Sequence, residues 1–518
     1  MKTYTDPSPF AYDAVAYPTR AQSQVHPERL AAVGALYGLD PAPVEGSRIL
    51  ELGCGDAANL ACIAAAFPGS RCVGLDLSGA AIERGLEFAR RCGLANLELH
   101  QADLAAEGVP GGEFDYILCH GLYAWVPEAV REGILRRCRE QLAPEGLAMI
   151  SYNALPGGCV RQAVRDMLRW HVRESAVPLE RLGEARALAQ FLSEATHETD
   201  EVGTAFRSEL RTALAKEPGS LFHDDLAEHY APVYFHEFMA AAGRHSLQFV
   251  AGTDPAELFW PNLAKETLQI VYALTDSRVE RQQYLDFLVS RRFHHTVLCR
   301  EECTVAGTPQ LDRLSRCWFS AQGRVATPEK VAQRGAVAVF QRPDGAKLET
   351  DFVAGKLALA HLIANSPRRS AFADLGQLVR RQLAEVGAMD LWTAATPASL
   401  AQFLLEACAP KLALMHGATP DISSVPGDRP RAFAPARVQA AAGDHVTTAY
   451  HHVVVLGDRW SRELVSRADG TRTRAQLKEE VTSLACAGDP ADLATWQALA
   501  AEFDTALNKL ARQGLLVA

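Results

Sequence analysis

"RILELGCGDAANL", residues 48–60, joins a short apolar run to a glycine-rich turn. RILEL has the apolar density of a short buried strand, and AANLACIAAAF after it reads as an alanine-rich helix. Gly53-Cys54-Gly55 separates the two. Strand, glycine turn and helix form the first unit of a nucleotide-binding α/β sheet. The glycines let backbone approach a ligand, and the helix start offers unpaired N–H groups. Two other readings stay open at this point: a tight turn without a ligand, and a dinucleotide loop, because GCGDAA fits the pattern GxGxxA.

The chain downstream narrows the choice. SRCVGLDLS reads as a second strand ending at Asp76, 23 positions after Gly53, where a carboxylate can accept from ribose hydroxyls. NLELHQADL gives a third strand ending at Ala102-Asp103-Leu104, and GGEFDYILCHGLYAW gives a fourth. A helix and a Pro-Glu-Gly turn then lead into a fifth, within LAPEGLAMISYN. Glu51 before the glycines, the acidic end of the second strand, QADL, FDYILCHGL and LAPEGLAMIS together resemble the class I S-adenosylmethionine (SAM) methyltransferases. That resemblance displaces the dinucleotide reading. It implies a Rossmann-like sheet with SAM as cofactor. Glu51, Gly53 and Gly55 would lie under the methionine part, Asp76 at the ribose, and Asp103 with Leu104 at the adenine. His120 and Gly121 would lie beside the sulfonium. Read from the residues alone, Asp103 also suits a helix N-cap.

The resemblance extends beyond the core. YDAVAYPTRAQSQVHPERLAAVGALYGLDP, SYNALPGG and RRFHHTVLCRE are similar to a bacterial family carrying an appended methyltransferase regulatory domain. Its best-characterised branch is the rickettsial protein-lysine methyltransferases that modify outer-membrane proteins. The resemblance implies a protein lysine as acceptor. His294 and His295 stand where family members often carry other residues, which leaves that segment's role open.

The expected organisation is a SAM-binding core over 1–160, a helical insertion over 161–220 for regulation or dimerisation, and a region over 221–305. In that region LQFVAG and FHHTVLC are the last two strands of the catalytic sheet. The alternative is a separate all-helical domain over 161–300. Two winged-helix-like α+β modules follow, at 306–425 and 436–518. The first carries an Asp-Gly hairpin in VAVFQRPDGAKLETD, and SSVPGDRPRAFAPAR links the two. Every cofactor motif precedes residue 125, so the later modules are expected to govern substrate choice or assembly, including a homodimer, rather than SAM binding. A cut near 305 is expected to leave a folded catalytic domain.

Formal net charge is −10, which disfavours nucleic acid as a partner, because duplex binding needs clustered Lys and Arg. Twelve scattered cysteines without CxxC pairs fit a reducing cytosol. No apolar run is long enough to insert in a membrane, and the expected location is cytoplasmic. HHTVLCREEC clusters possible zinc ligands, but strand alternation would send His294 and His295 to opposite faces, so no metal is expected.

Methyl transfer is an in-line displacement, so the protein's task is to hold a nucleophile close and aligned. Deprotonating a lysine of pKa about 10.4 near pH 7 costs roughly 4.6 kcal/mol, which burial in an aromatic channel can largely supply. Tyr12, Tyr17, Tyr123, Trp125 and Tyr152 are expected to ring the site, where their faces could also hold a cationic amine. Asn153 could orient that amine, and His120 is the evident neutral base. His223 and Asp224 would join them if the insertion folds over the cleft, although a helix cap also suits Asp224. The readings beside lysine methylation are transfer to a small-molecule O, N or C atom, and a catalytically inactive SAM-binding regulator.

Overall fold

The computed structural model describes residues 15–106, 112–195, 200–260, 263–423, 425–484, 498 and 501–517. Seven strands make one sheet: β1 (Arg48–Leu52), β2 (Arg71–Asp76), β3 (Leu97–Gln101), β4 (Phe114–Cys119), β5 (Leu142–Asn153), β6 (Leu247–Gly252) and β7 (Phe293–Arg300). Their order is β3-β2-β1-β4-β5-β7-β6. The first five run parallel, and β7 inserts antiparallel between β5 and β6. Strand order reverses between β1 and β4, and a crevice at such a reversal is where open α/β sheets hold ligands. Ile49, Leu50 and Leu52 on β1 are wholly buried, as a central strand covered on both faces requires.

LQFVAG and FHHTVLC are the two strands at the far edge of this sheet, so 161–300 is not an all-helical domain. Between β5 and β6 lie helices Cys159–His171, Pro178–Ala195, Glu201–Leu214 and Pro218–Asp225. They pack around a small core of their own that includes Val164, Leu168, Leu210 and Leu221. One turn is absent. Pro144-Glu145-Gly146 lies inside β5, which begins where helix Glu128–Gln141 ends. Register jumps from Phe114–Leu142 to Tyr116–Leu147, so the extra residues are taken up as an irregularity in the ladder.

After the sheet, strands Ala338–Gln341 and Lys347–Thr350 form the antiparallel hairpin, closed at Asp344-Gly345 with Gly345 at φ +92°. The C-terminal module pairs strands His445–Thr447 and Val453–Val455 beside helices Ala434–Ala442, Arg459–Arg467, Arg474–Ser483 and Phe503–Arg512. Trp460, Leu464 and Leu507 centre its core.

Packing offers no clean cut at residue 305. One continuous core runs from Val25 and Leu36 through Met149 and Val297 into Phe319, Leu359, Leu404 and Met415. A buried polar stitch reinforces it. Glu28, on helix Pro27–Leu36, accepts from His416 Nδ1 at 3.0 Å and pairs with Arg369 at 3.3 Å. Ser320 Oγ donates to the other nitrogen of His416 at 2.8 Å, which sets the tautomer. Gly417 comes so close that a Cβ there would stand 2.6 Å from the Glu28 carbonyl oxygen. A chain ending at residue 305 should therefore aggregate, because the cut bares half of this shared core. A monodisperse monomer on size-exclusion chromatography would contradict that.

His26 and His416 are buried and His120, His295 and His452 half-buried, and desolvation holds their pKa values at about 3 to 4, below the usual 6.5. Near pH 5 the unfolded chain binds protons that the folded chain refuses, so stability rises with pH there. Stability should be full above about pH 6.5 and fall as pH drops toward 4. Urea midpoints at pH 7.5 and pH 5 should differ, the acid one being lower; equal midpoints would mean the imidazoles are not buried neutral.

Candidate active site

The glycine loop gets its shape from two left-handed residues. Gly53 has φ +73° and Gly55 φ +56°, a region that favours residues without a Cβ. At Gly53 a Cβ would also meet the Leu122 side chain at 2.8 Å. The Gly53 and Cys54 N–H groups both donate to the Leu75 carbonyl, at 2.8 and 3.1 Å, which ties the loop to the end of β2. Asp76 completes the tie. One of its oxygens accepts from Gly55 N at 2.8 Å, and the other accepts from Ser78 N at 2.8 Å. Burial raises the Asp76 pKa, and these backbone donors oppose that. Each oxygen keeps a lone pair for a ligand hydroxyl.

Glu51 is buried at the end of β1. Its Oε1 accepts from Asn59 Nδ2 at 2.8 Å, while its Oε2 has no partner among the described residues. Desolvation pushes its pKa up to about 8. The N-terminal segment folds over this loop. Thr19 hydrogen-bonds Asp56, and Gln22 N donates to Asn59 Oδ1 at 3.0 Å.

These groups line one cavity of about 1250 Å³. It is large for a single small ligand, since such pockets typically hold about 300–1,000 Å³. Glu51, Gly53, Gly55, Asp76, Asp103, Leu104, His120, Gly121, Trp125 and Asn153 all line it. Tyr123 and Tyr152 do not. Both are buried in the core, where Tyr123 stands edge-on to Phe238 and the Tyr152 hydroxyl bonds Thr296 at 3.1 Å. Asp103 caps no helix among the described residues: its Oδ1 accepts from Ala105 N at 2.8 Å in a local turn. Tyr17 lines the cavity, and Tyr12 lies outside the described residues.

His120 Nδ1 bonds Ser151 Oγ at 2.9 Å, and its ring stacks on His295 with centroids 5.7 Å apart. Burial keeps His120 near pKa 4, hence neutral at pH 7. His294, next to His295 in sequence, bonds Asp286 at 2.6 Å instead. Trp125 faces the insertion. The guanidiniums of Arg161 and Arg165 sit 5.1 and 5.0 Å from its ring, so its face is already taken by cations of the chain itself. Asn153 is 5 % exposed, and its Oδ1 has no partner among the described residues. The insertion does fold over the cleft. His223 and Asp224 both line it, and Asp224 pairs with Arg161 at 3.3 Å from the last turn of its helix, where it cannot be an N-cap. The arginines of Cys159–His171 and Asn59 were not singled out in the sequence. Only the helical periodicity of the insertion hinted at the first, and only its place in the opening helix at the second.

An Asp76→Ala variant loses the carboxylate that gathers the Gly55 and Ser78 N–H groups, while the bonds to the Leu75 carbonyl remain. Calorimetry should find SAM binding weakened by about 1–3 kcal/mol, the cost of unpaired buried groups. Unchanged affinity would mean that this loop does not hold the ligand.

Comparisons with known proteins agree with this architecture. Family models described as "Methyltransferase domain", "Predicted methyltransferase regulatory domain" and "PKMT, C-terminal winged helix domain" match residues 49–146, 217–300 and 428–515. The uncharacterized protein RP789 of Rickettsia prowazekii is 34% identical over 304 residues, covering 58% of this chain and 54% of that relative. This chain therefore spans about half of RP789. RP028 of the same organism is 33% identical over 233 residues, covering 45% of this chain and 93% of its own length. PKMT2 from Rickettsia typhi, solved alone and in complex with AdoHcy, superposes with a TM-score of 0.83 at 24% identity, over 97% of this chain and 100% of that one. The chain belongs to the bacterial class I SAM-dependent methyltransferases that carry a methyltransferase regulatory domain, and among them it resembles the rickettsial-type PKMT proteins.

Proposed function

We propose that the protein transfers methyl groups from SAM to lysine side chains of a protein substrate. The observation that carries this reading is the Oδ1 of Asn153 at the end of β5, which has no partner among the described residues. A buried carbonyl left unpaired costs about 1–3 kcal/mol, and an amine N–H of the acceptor would satisfy it. The PKMT name of the winged-helix family and of the similar fold supports a protein acceptor.

On this reading Glu51, Gly53 and Gly55 hold the methionine part of SAM, Asp76 the ribose, and Asp103 with Leu104 the adenine. The cofactor's own ammonium beside Glu51 Oε2 would return that side chain to its carboxylate form. His120 and Gly121 bound the space around the methyl. SAM supplies the electrophilic methyl; the residues of the chain align the acceptor and exclude water. His120 and His295 stay neutral by burial, so no cation from them opposes an arriving lysine. Desolvation in this buried corner lowers the pKa of a lysine that enters it. The homodimer and the cytoplasmic location belong to the same reading. No helix among the described residues is long and apolar enough to cross a membrane.

A small acidic acceptor is the second reading. Arg161, Arg169, Arg173 and Arg181 of the insertion line the same cavity, which suits a carboxylate better than an isolated lysine. A lysine flanked by acidic residues would satisfy both features.

Two measurements test the proposal. An Asn153→Leu variant should lose about tenfold in kcat/KM for a lysine-bearing protein, about 1.4 kcal/mol, with SAM affinity within about twofold of the parent. The rate should climb with pH from 7 to 9, as the amine gives up its proton, and show no step near pH 6.5 because His120 does not titrate there. A rate independent of pH with full Asn153→Leu activity would reject the lysine acceptor.

A further inference from the structure

We infer that His451, in the C-terminal module, is a positioning residue for the SAM site: it donates to Asn59, fixes that side-chain amide, and thereby aims the Asn59 N–H at Glu51. The inference rests on reading the cavity at Glu51 as the SAM site.

His451 Nε2 stands 2.8 Å from Asn59 Oδ1, across 392 residues of sequence. The same oxygen accepts from Gln22 N at 3.0 Å. With two donors on Oδ1, a flipped amide would set two N–H groups against each other, so Nδ2 must face Glu51 Oε1, 2.8 Å away. The remaining Glu51 oxygen, Oε2, is buried, with no hydrogen-bond partner among the described residues, on a residue that lines the cavity. The line from His451 thus ends at the one carboxylate oxygen of this cluster that a cofactor cation could take.

The geometry of His451 is itself constrained. Its backbone φ is +64°, in the left-handed region that is uncommon outside glycine, though histidine enters it more readily than most residues. A turn holds it there: His451 N donates to Thr448 O at 2.9 Å, and Thr448 N donates to His452 O at 2.8 Å. Such a conformation persists where the surroundings over-determine it, and it is a pointer to function. The ring is buried, edge-on to His26 at 4.7 Å, and desolvation keeps it neutral, far below the usual histidine range. A neutral ring that donates from Nε2 leaves Nδ1 without its proton, so the tautomer is fixed by the bond to Asn59.

On this inference the C-terminal module supports the cofactor site, in contrast to the expectation that the late modules leave SAM binding untouched. A partner that drew the turn at 448–452 away from Asn59 would loosen the grip on SAM without touching the glycine loop.

The test is calorimetry of AdoHcy binding to the full chain. H451L keeps volume and loses the donor, and should raise Kd about five- to tenfold. H451Q keeps an N–H and should stay within about twofold of the parent. In an N59A background H451L should change nothing more, because its effect runs through Asn59. A role in packing alone would predict the opposite: glutamine fails to rescue, and the two losses multiply. In the parent protein, labelled with 15N-histidine, the Nε2–H signal of His451 (assigned by its absence in H451Q) should shift on adding AdoHcy and should not shift in E51Q. Normal AdoHcy affinity in H451L, or a signal blind to AdoHcy, overturns the inference. A parent protein that binds no AdoHcy removes the SAM reading itself, which is a distinct result.

Discussion

Two backbone N–H groups converge on the Asp76 carboxylate, from Gly55 and from Ser78, and the whole site is organised around that clasp. It joins the loops after β1 and β2 into one rigid rim. The left-handed conformations of Gly53 and Gly55 are held by it and by the paired bonds to the Leu75 carbonyl. Because the loop is tied on its protein side, its other side is free for a ligand. The clasp sits where strand order reverses, so the crevice follows from topology and the rim from local hydrogen bonding.

Burial does most of the electrostatic tuning around that rim. It raises Glu51 and keeps His120, His295 and His451 neutral, without strong charged partners at most of these groups. A site built this way has little intrinsic acid or base strength. It suits a reaction in which alignment and water exclusion dominate, and methyl transfer to an amine is such a reaction. The insertion supplies the cover. Its arginines stack on Trp125 and pair with Asp224, so the lid over the cleft is held by cation–π and ionic contacts rather than by apolar packing alone.

The parts of this design that depend on neighbours in sequence were legible. The glycine loop, Glu51, Asp76 and Asp103 sit at strand ends, and period and turn chemistry locate strand ends. Parts that depend on long-range contacts were not. Tyr123 and Tyr152 carry the same chemistry as any channel tyrosine, but Phe238 and Thr296 from a helix and a strand far along the chain bury them. Trp125 belongs to the cavity, yet residues of the insertion occupy its face. Packing across the expected boundary at 305 has a similar origin. The polar stitch through Glu28, Arg369 and His416 and the apolar core beside it join segments whose local sequences look self-sufficient. His451 has no local signal at all; only the fold brings it to Asn59.

On the proposed function this cavity delivers a methyl group to a lysine on a protein. The direct test incubates the full chain with SAM carrying a labelled methyl group and a cell extract, then separates protein from small molecules. The label should enter protein, and acid hydrolysis should release it as methyl-lysine. Label confined to small molecules, or released from protein as methanol by hydrolysis of an ester, would overturn the lysine acceptor.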